Sequence, residues 1–154
     1  MTLLLRPIQS TDIVPLAQLM AANSLWQRYN VTEASATQRL QNGLEQQADI
    51  TVAEVNGEPV GFIWTVDKGA FQRSGYIMLI GVRSDRQGQG VGRVLMLAAE
   101  TALFAQVADL FLLVSDFNQA AQAFYQRLGY RQVGAIPDYV VAGITELIFH
   151  KRKV

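Results

Sequence analysis

The 154-residue chain has no cysteine. Disulfides, thiolate metal centres and a cysteine nucleophile are therefore excluded. It has a single histidine, His150. One imidazole makes no histidine metal cluster and argues against a serine–histidine triad, so no metal is expected. Neither charge sign is in excess, with 13 basic and 13 acidic residues. That balance gives no reason to expect nucleic acid or an anionic membrane as partner. Long hydrophobic runs are missing too. The opening "TLLL" stops at Arg6 and Pro7, short of a signal peptide, and nothing later reaches bilayer-spanning length. The expectation is a soluble, cytoplasmic protein.

What is present fits one domain over residues 1–154, since 50% of the residues are apolar and the length allows a real core. "TLLLRPI" reads as a strand, and Ser10 to Asp12 offer caps for an amphipathic helix ending near Ala22. "NSLWQRYNV" reads as a connection, and a second helix is predicted from Thr32 or Glu33 to Gln47. "DITVAEV" and "PVGFIWTV" flank "NGE" as a hairpin. "GYIMLIGV" is the most apolar strand and so the central one. Val91, Val94, Leu95, Ala98 and Ala102 recur at helical spacing after it. "DLFLLVS" is a further buried strand, "NQAAQAFYQRLGY" a helix closed by Gly129, and "YRQVGAI" and "ITELIFH" two closing strands. The predicted order β-α-α-β-β-β-α-β-α-β-β makes an α/β mixed sheet of about seven strands with four helices.

Between the central strand and its helix lies "SDRQGQGVGR", with Gly88, Gly90 and Gly92 at alternate positions. The first turn of a helix carries unpaired N–H groups and the positive end of the helix dipole. Glycines let that backbone approach an anion without an intervening side chain, and a diphosphate is the natural guest. Arg83, Arg86 and Arg93 could add charge around it. A tight connection with no ligand is the plainer alternative. A P-loop would need Lys-Ser or Lys-Thr at the helix start, where Arg93-Val94 stands. The spacing is also wrong for a dinucleotide fingerprint.

"IGVRSDRQGQGVGRVL" resembles the acyl-CoA-binding motif of the GCN5-related N-acetyltransferases, whose Arg/Gln-x-x-Gly-x-Gly/Ala pattern falls on Gln87, Gly90 and Gly92. "VSDFNQAAQAFYQRLGYRQVG" resembles the same family's later segment. The resemblance implies a mostly antiparallel sheet splayed between its fourth and fifth strands. It implies acetyl-CoA as co-substrate and direct transfer of acetyl to a primary amine of a small molecule or protein. Backbone groups of Ile80, Gly81 and Val82 are implied to pair with the pantetheine arm. Gln87, Gly88, Gln89, Gly90, Val91, Gly92 and Arg93 are implied to cradle the diphosphate, and Asn118 to hydrogen-bond the cofactor. Tyr125, seven residues after Asn118, is implied to protonate the departing sulfur. A homodimer is compatible with the resemblance.

Gly81 stands out by itself, because glycine inside a strand marks a bulge or a close approach, whether of a ligand or of neighbouring side chains. If Phe124 enters the core, Tyr125 on the next position can face a cleft edge. Many members of the family carry a glutamate on the central strand, and "GYIMLIGV" has no carboxylate. Asp116, Glu54, Asp67 and Glu146 are the remaining candidates for a base, or there is none. Trp26, Tyr29 and Tyr139, from the two connecting segments, are candidate walls of an acceptor pocket. His150 and the basic tail read as solvated surface. A non-catalytic acyl-CoA-binding module is the alternative to an enzyme.

Overall fold

A computed structural model describes residues 2–154. Seven strands and five α-helices are found among the described residues, in the order β1 (Leu3–Pro7), α1 (Ile13–Ala22), α2 (Ser24–Gln27), α3 (Glu33–Glu45), β2 (Asp49–Val55), β3 (Glu58–Ala70), β4 (Ser74–Val82), α4 (Val91–Phe104), β5 (Asp109–Ser115), α5 (Gln119–Arg127), β6 (Arg131–Ile136) and β7 (Glu146–Arg152). The sheet order is β1-β2-β3-β4-β5-β7-β6. The registered pairs are antiparallel except β4 with β5, which run parallel through Gly75↔Leu110, Tyr76↔Phe111 and Ile77↔Leu112. The mixed sheet expected from the sequence is therefore present. The expected four helices become five, because Asn23 caps a short helix inside "NSLWQRYNV": its Oδ1 accepts from the N–H of Leu25 at 2.9 Å and of Trp26 at 3.4 Å.

The residues group into two compact units, Met1–Thr65 with Leu79–Thr101, and Val66–Met78 with Ala102–Val154. In the first, Asn56 and Gly57 take φ of 52° and 80° and close the β2–β3 hairpin, as a two-residue turn requires. Leu16 and Ala17 of α1, Leu40 of α3, Val52 of β2, Val60 and Phe62 of β3 and Leu95 of α4 are fully buried here. Thr32 and Ser35 form a reciprocal cap that starts α3 at Glu33.

β1 is tied to the turn before α1 by a buried ion pair. Arg6 Nη1 and Nη2 donate to Asp12 Oδ2 and Oδ1 at 2.7 and 2.8 Å, and the Gln9 N–H donates to Oδ2 at 2.8 Å. Burial by itself pushes the Asp12 carboxyl up, but the hydrogen bonds from Arg6 and Gln9 outweigh it and hold the carboxyl below its ordinary range. A depressed pKa stabilises the fold above the unfolded value, roughly pH 4, and that stabilisation is lost as pH falls through the folded value. Asp12→Ala, which leaves the Arg6 guanidinium only its longer bonds to Glu54 and Pro7 O at 3.4 and 3.3 Å, is expected to cost about 2 kcal/mol at pH 7, roughly 4–8 °C in Tm. The difference from wild type should shrink on acidification in thermal melts.

In the second unit, Leu110, Leu112 and Val114 of β5 and Phe149 of β7 form one buried face. Gly129, at φ 97°, ends α5 as its position in the sequence predicts. The C-terminal strand corrects the reading of His150 as solvated surface, while Arg152, Lys153 and Val154 are exposed as expected. His150 Nε2 donates to Asp109 Oδ1 at 2.7 Å, its ring lies 4.9 Å from that of Phe111, and Arg152 Nε donates to the same carboxylate at 3.0 Å. Lys151 sits 5.6 Å over the Tyr130 ring. β7 stays paired with β5 through Arg152, so His150, Lys151 and Arg152 are sheet residues and not a frayed tail.

Candidate active site

The sequence points to the segment from Ile80 to Arg93, all of it in the first unit. β4 ends at Val82, a single 3₁₀ turn follows at Ser84–Arg86, and α4 begins at Val91. Gly88 and Gly90 hold φ of 76° and 87°. An added Cβ at either would meet nothing within 4 Å. The left-handed backbone, and not crowding inside the chain, is what requires glycine there. The Val94 N–H donates to Gly90 O at 3.1 Å, and the amides ahead of it belong to the first turn of α4, which has no intrahelical partners to offer them. Gly92 differs from the expectation of three equivalent glycines. It is the second residue of α4, and the bend is made by Gly88 and Gly90.

Side chains brace this turn. Gln87 Nε2 donates to Val82 O at 3.3 Å, and Gln89 Nε2 to Asp85 O at 3.2 Å. Of the expected arginines, Arg83 is committed elsewhere: its Nε donates to Asp85 Oδ1 at 2.6 Å and its Nη1 to Glu58 Oε2 at 3.4 Å. Arg93 stands exposed on the first turn of α4. The resulting arrangement is a run of backbone amides and a helix N-terminus, with Arg93 on the helix and the half-buried Arg86 closing the 3₁₀ turn ahead of it, which suits a diphosphate.

Gly81 is buried on β4, and the groups that approach it are side chains of the same unit. A Cβ there would lie 2.7 Å from Trp26 Cη2 and 3.0 Å from Phe62 Cε1. The strand glycine is thus explained on one side by packing. The Trp26 and Phe62 rings are 6.0 Å apart, tilted by 39°. Sequence reasoning did not place Phe62 here. Tyr29 follows on the turn after α2, where its N–H donates to Trp26 O at 2.9 Å.

Glu54 apart, the remaining residues singled out in the sequence lie in the second unit. Asn118 caps α5, its Oδ1 accepting from the Ala121 N–H at 3.1 Å, which leaves its NH₂ as a donor for another partner. The expectation for Phe124 and Tyr125 is reversed. Phe124 is half-buried, whereas Tyr125 is buried at 8% exposure, with ring centroids 6.1 Å from Tyr130 and 6.4 Å from Phe149. The apolar stripe of α5 runs through Tyr125 and Leu128, so it is the tyrosine that faces the sheet. Burial raises its phenol above the ordinary range and keeps the O–H protonated at neutral pH. Tyr139 is exposed on the β6–β7 connection, which Asp138 Oδ1 fastens by accepting from the Gly143 N–H at 2.7 Å. Of the candidate carboxylates, Asp67 and Asp116 are exposed and Glu54 accepts from Arg6 Nε at 3.4 Å. Glu146 is buried at the start of β7, opposite Ser115.

Comparison with known proteins agrees with this geometry. Residues 17–130 match the model of the acetyltransferase (GNAT) family. A mycothiol acetyltransferase of Streptomyces coelicolor is 32% identical over 120 residues, covering 74% of this chain and 38% of its own length. An uncharacterised N-acetyltransferase of Methanocaldococcus jannaschii is 32% identical over 105 residues, covering 66% of this chain and 65% of its own. The chain thus spans less than two thirds of either relative. An aminoglycoside 6'-N-acetyltransferase complexed with coenzyme A superposes with a TM-score of 0.79 at 16% identity, covering 97% of this chain and 96% of that one. The ribosomal-protein-S18-alanine N-acetyltransferase of Escherichia coli gives 0.76 at 21% identity, with 98% and 94% covered. These likenesses show the fold, and the sequence match over most of the chain shows its kinship: the protein belongs to the acetyltransferase (GNAT) family.

Proposed function

We propose that this protein is an acetyl-CoA-dependent N-acetyltransferase that moves an acetyl group directly to a primary amine of a small molecule or protein. The observation that carries the reading is the left-handed Gly88–Gly90 turn feeding the first turn of α4 directly after β4. In this reading the backbone of Ile80, Gly81 and Val82 pairs with the pantetheine arm. The amides of Gln87 to Arg93 take the diphosphate, and the Asn118 amide adds a hydrogen bond to the cofactor. The amine nitrogen attacks the thioester carbonyl, a tetrahedral oxyanion forms, and the carbon–sulfur bond breaks. The sulfur takes the Tyr125 proton as it leaves, and Tyr125 regains a proton from water, which balances the one the amine gives up. The amine gives up a proton to water or to a carboxylate, of which Glu146 alone among the four candidates is buried. No acyl-enzyme is needed, in keeping with the absence of cysteine. Trp26, Tyr29 and Tyr139 contribute to recognition of the acceptor.

Acetyl-CoA at a hundredfold excess over its Kd is expected to stabilise the fold by about 2.7 kcal/mol, roughly 5–11 °C in Tm. An unchanged melting curve with any acyl-CoA would remove the reading. One observation favours a second reading: β4 carries no carboxylate, as a non-catalytic acyl-CoA-binding module would tolerate. Thiol release across a panel of amines decides between them, since a module binds acetyl-CoA without freeing CoA.

A further inference from the structure

We propose that Trp26 sets the length of the acyl group, closing the donor site to chains longer than acetyl or propionyl. The proposal rests on the acyl-CoA reading above and names the donor that reading leaves open.

Consecutive strand residues point to opposite faces. On β3, a Cβ added to Gly61 would meet Val91 Cγ1 at 3.3 Å and Leu95 Cδ1 at 3.4 Å, so this side belongs to α4. Phe62, the next residue, meets Trp26 of α2 on the other side. Gly81 of β4 looks toward the same side as Phe62, since its missing Cβ would touch both rings. A cofactor with its diphosphate at the first turn of α4 and its arm along Ile80 to Val82 thus starts on the α4 side. On the proposal, its thioester end meets the opposite face, the one that Trp26 covers.

The indole leaves little room there. Its Cη2 and Cζ3 lie 2.7 and 3.1 Å from the position of a Gly81 Cβ, and Phe62 Cε1 lies at 3.0 Å. Carbon atoms in contact prefer about 3.5–4.0 Å, so the rings already fill the space one methyl group would need. The backbone that carries the ring is held as well. The Trp26 N–H is capped by Asn23 Oδ1 at 3.4 Å, and its carbonyl accepts from Tyr29 N–H at 2.9 Å and Val31 N–H at 3.2 Å. An acetyl group ends before this wall, whereas a butyryl or hexanoyl tail has to displace an indole anchored at both its backbone groups. The smallness of Gly81 and the size of Trp26 are complementary parts of one stop.

The test compares kcat/KM for acetyl-, propionyl-, butyryl- and hexanoyl-CoA with one active amine, in wild type, Trp26→Ala and Trp26→Phe. Wild type is expected to prefer acetyl to butyryl by roughly a hundredfold, and Trp26→Ala to reduce that ratio at least about tenfold. Trp26→Phe keeps an aromatic contact with Phe62 but withdraws the far edge of the ring, so it should relax the ratio partially and stay folded where the alanine variant does not. Equal use of butyryl-CoA by wild type, or an unaltered ratio in the phenylalanine variant, would overturn the proposal. Thermal shifts with each acyl-CoA and with free CoA separate this failure from that of the function itself. If no CoA species stabilises the protein, the acyl-CoA reading fails. If acetyl-CoA and butyryl-CoA stabilise wild type equally, only the stop at Trp26 fails.

Discussion

Gly90→Val is expected to abolish the rise in Tm that acetyl-CoA produces, with acyl-CoA affinity falling roughly a hundredfold, about 2.7 kcal/mol. The reason lies in the backbone. Gly90 holds φ at 87°, which a β-branched residue adopts only with strain. The chain then either keeps the turn at a cost of about 1–3 kcal/mol or relaxes it and swings the amides that open α4 away from a common centre. Nothing lies within 4 Å of an added Cβ at this exposed position, so no core is disrupted, and the apoprotein should lose only a few degrees of Tm. Gly88→Val, at φ 76°, should behave alike. Arg93→Ala, which removes charge and leaves the turn intact, should weaken acetyl-CoA by only about 1 kcal/mol, an effect that shrinks with added salt. Isothermal titration of the three variants orders backbone against side chain. If Gly90→Val bound acetyl-CoA as wild type does, the amides of this turn would have no part in holding the cofactor.

The strands and long helices were legible because their determinants are local. The Asn56-Gly57 turn, the alternation of "DITVAEV", the Thr32 cap and Gly129 each carry their meaning within a few residues. The glycine turn was legible for the same reason, although sequence could not say that Gly88 and Gly90 bend while Gly92 is already helix. What stayed hidden depends on distant partners. The longer bond of Arg83 to Glu58, added to its local pairing with Asp85, joins residues far apart in sequence, as does the pairing of His150 with Asp109. Trp26 over Gly81 is another such contact, since the sequence gives bulky residues in a loop and a glycine in a strand but not their meeting. The Phe124–Tyr125 order was misread because both are apolar enough for the core. The choice is made by helix phase, with Phe149 of β7 and Tyr130, just ahead of β6, receiving the tyrosine ring.

That burial shapes the second large effect, on kcat. Tyr125→Phe is expected to lower kcat roughly a hundredfold, at the modest end for a general acid because a thiolate leaves easily even unprotonated. The KM for acetyl-CoA should change by no more than about twofold, since the proton is needed only as the carbon–sulfur bond breaks. The ring contacts with Tyr130 and Phe149 survive the substitution, so the Tm at neutral pH should barely move. Alkali supplies an independent readout. Burial raises the folded-state phenol pKa above its ordinary value near 10. The unfolded chain therefore ionises first, and native stability is lost as pH rises beyond roughly 10. In Tyr125→Phe that part of the alkaline loss should vanish, which urea melts at increasing pH would register. The wild-type rate should show no alkaline limb from Tyr125 below about pH 10, because the acid keeps its proton there. Wild-type turnover in the phenylalanine variant would remove the hydroxyl from the chemistry and leave Tyr125 as a packing residue of α5. A hundredfold loss with unaltered Tm and cofactor affinity would instead locate the effect in the bond-breaking step.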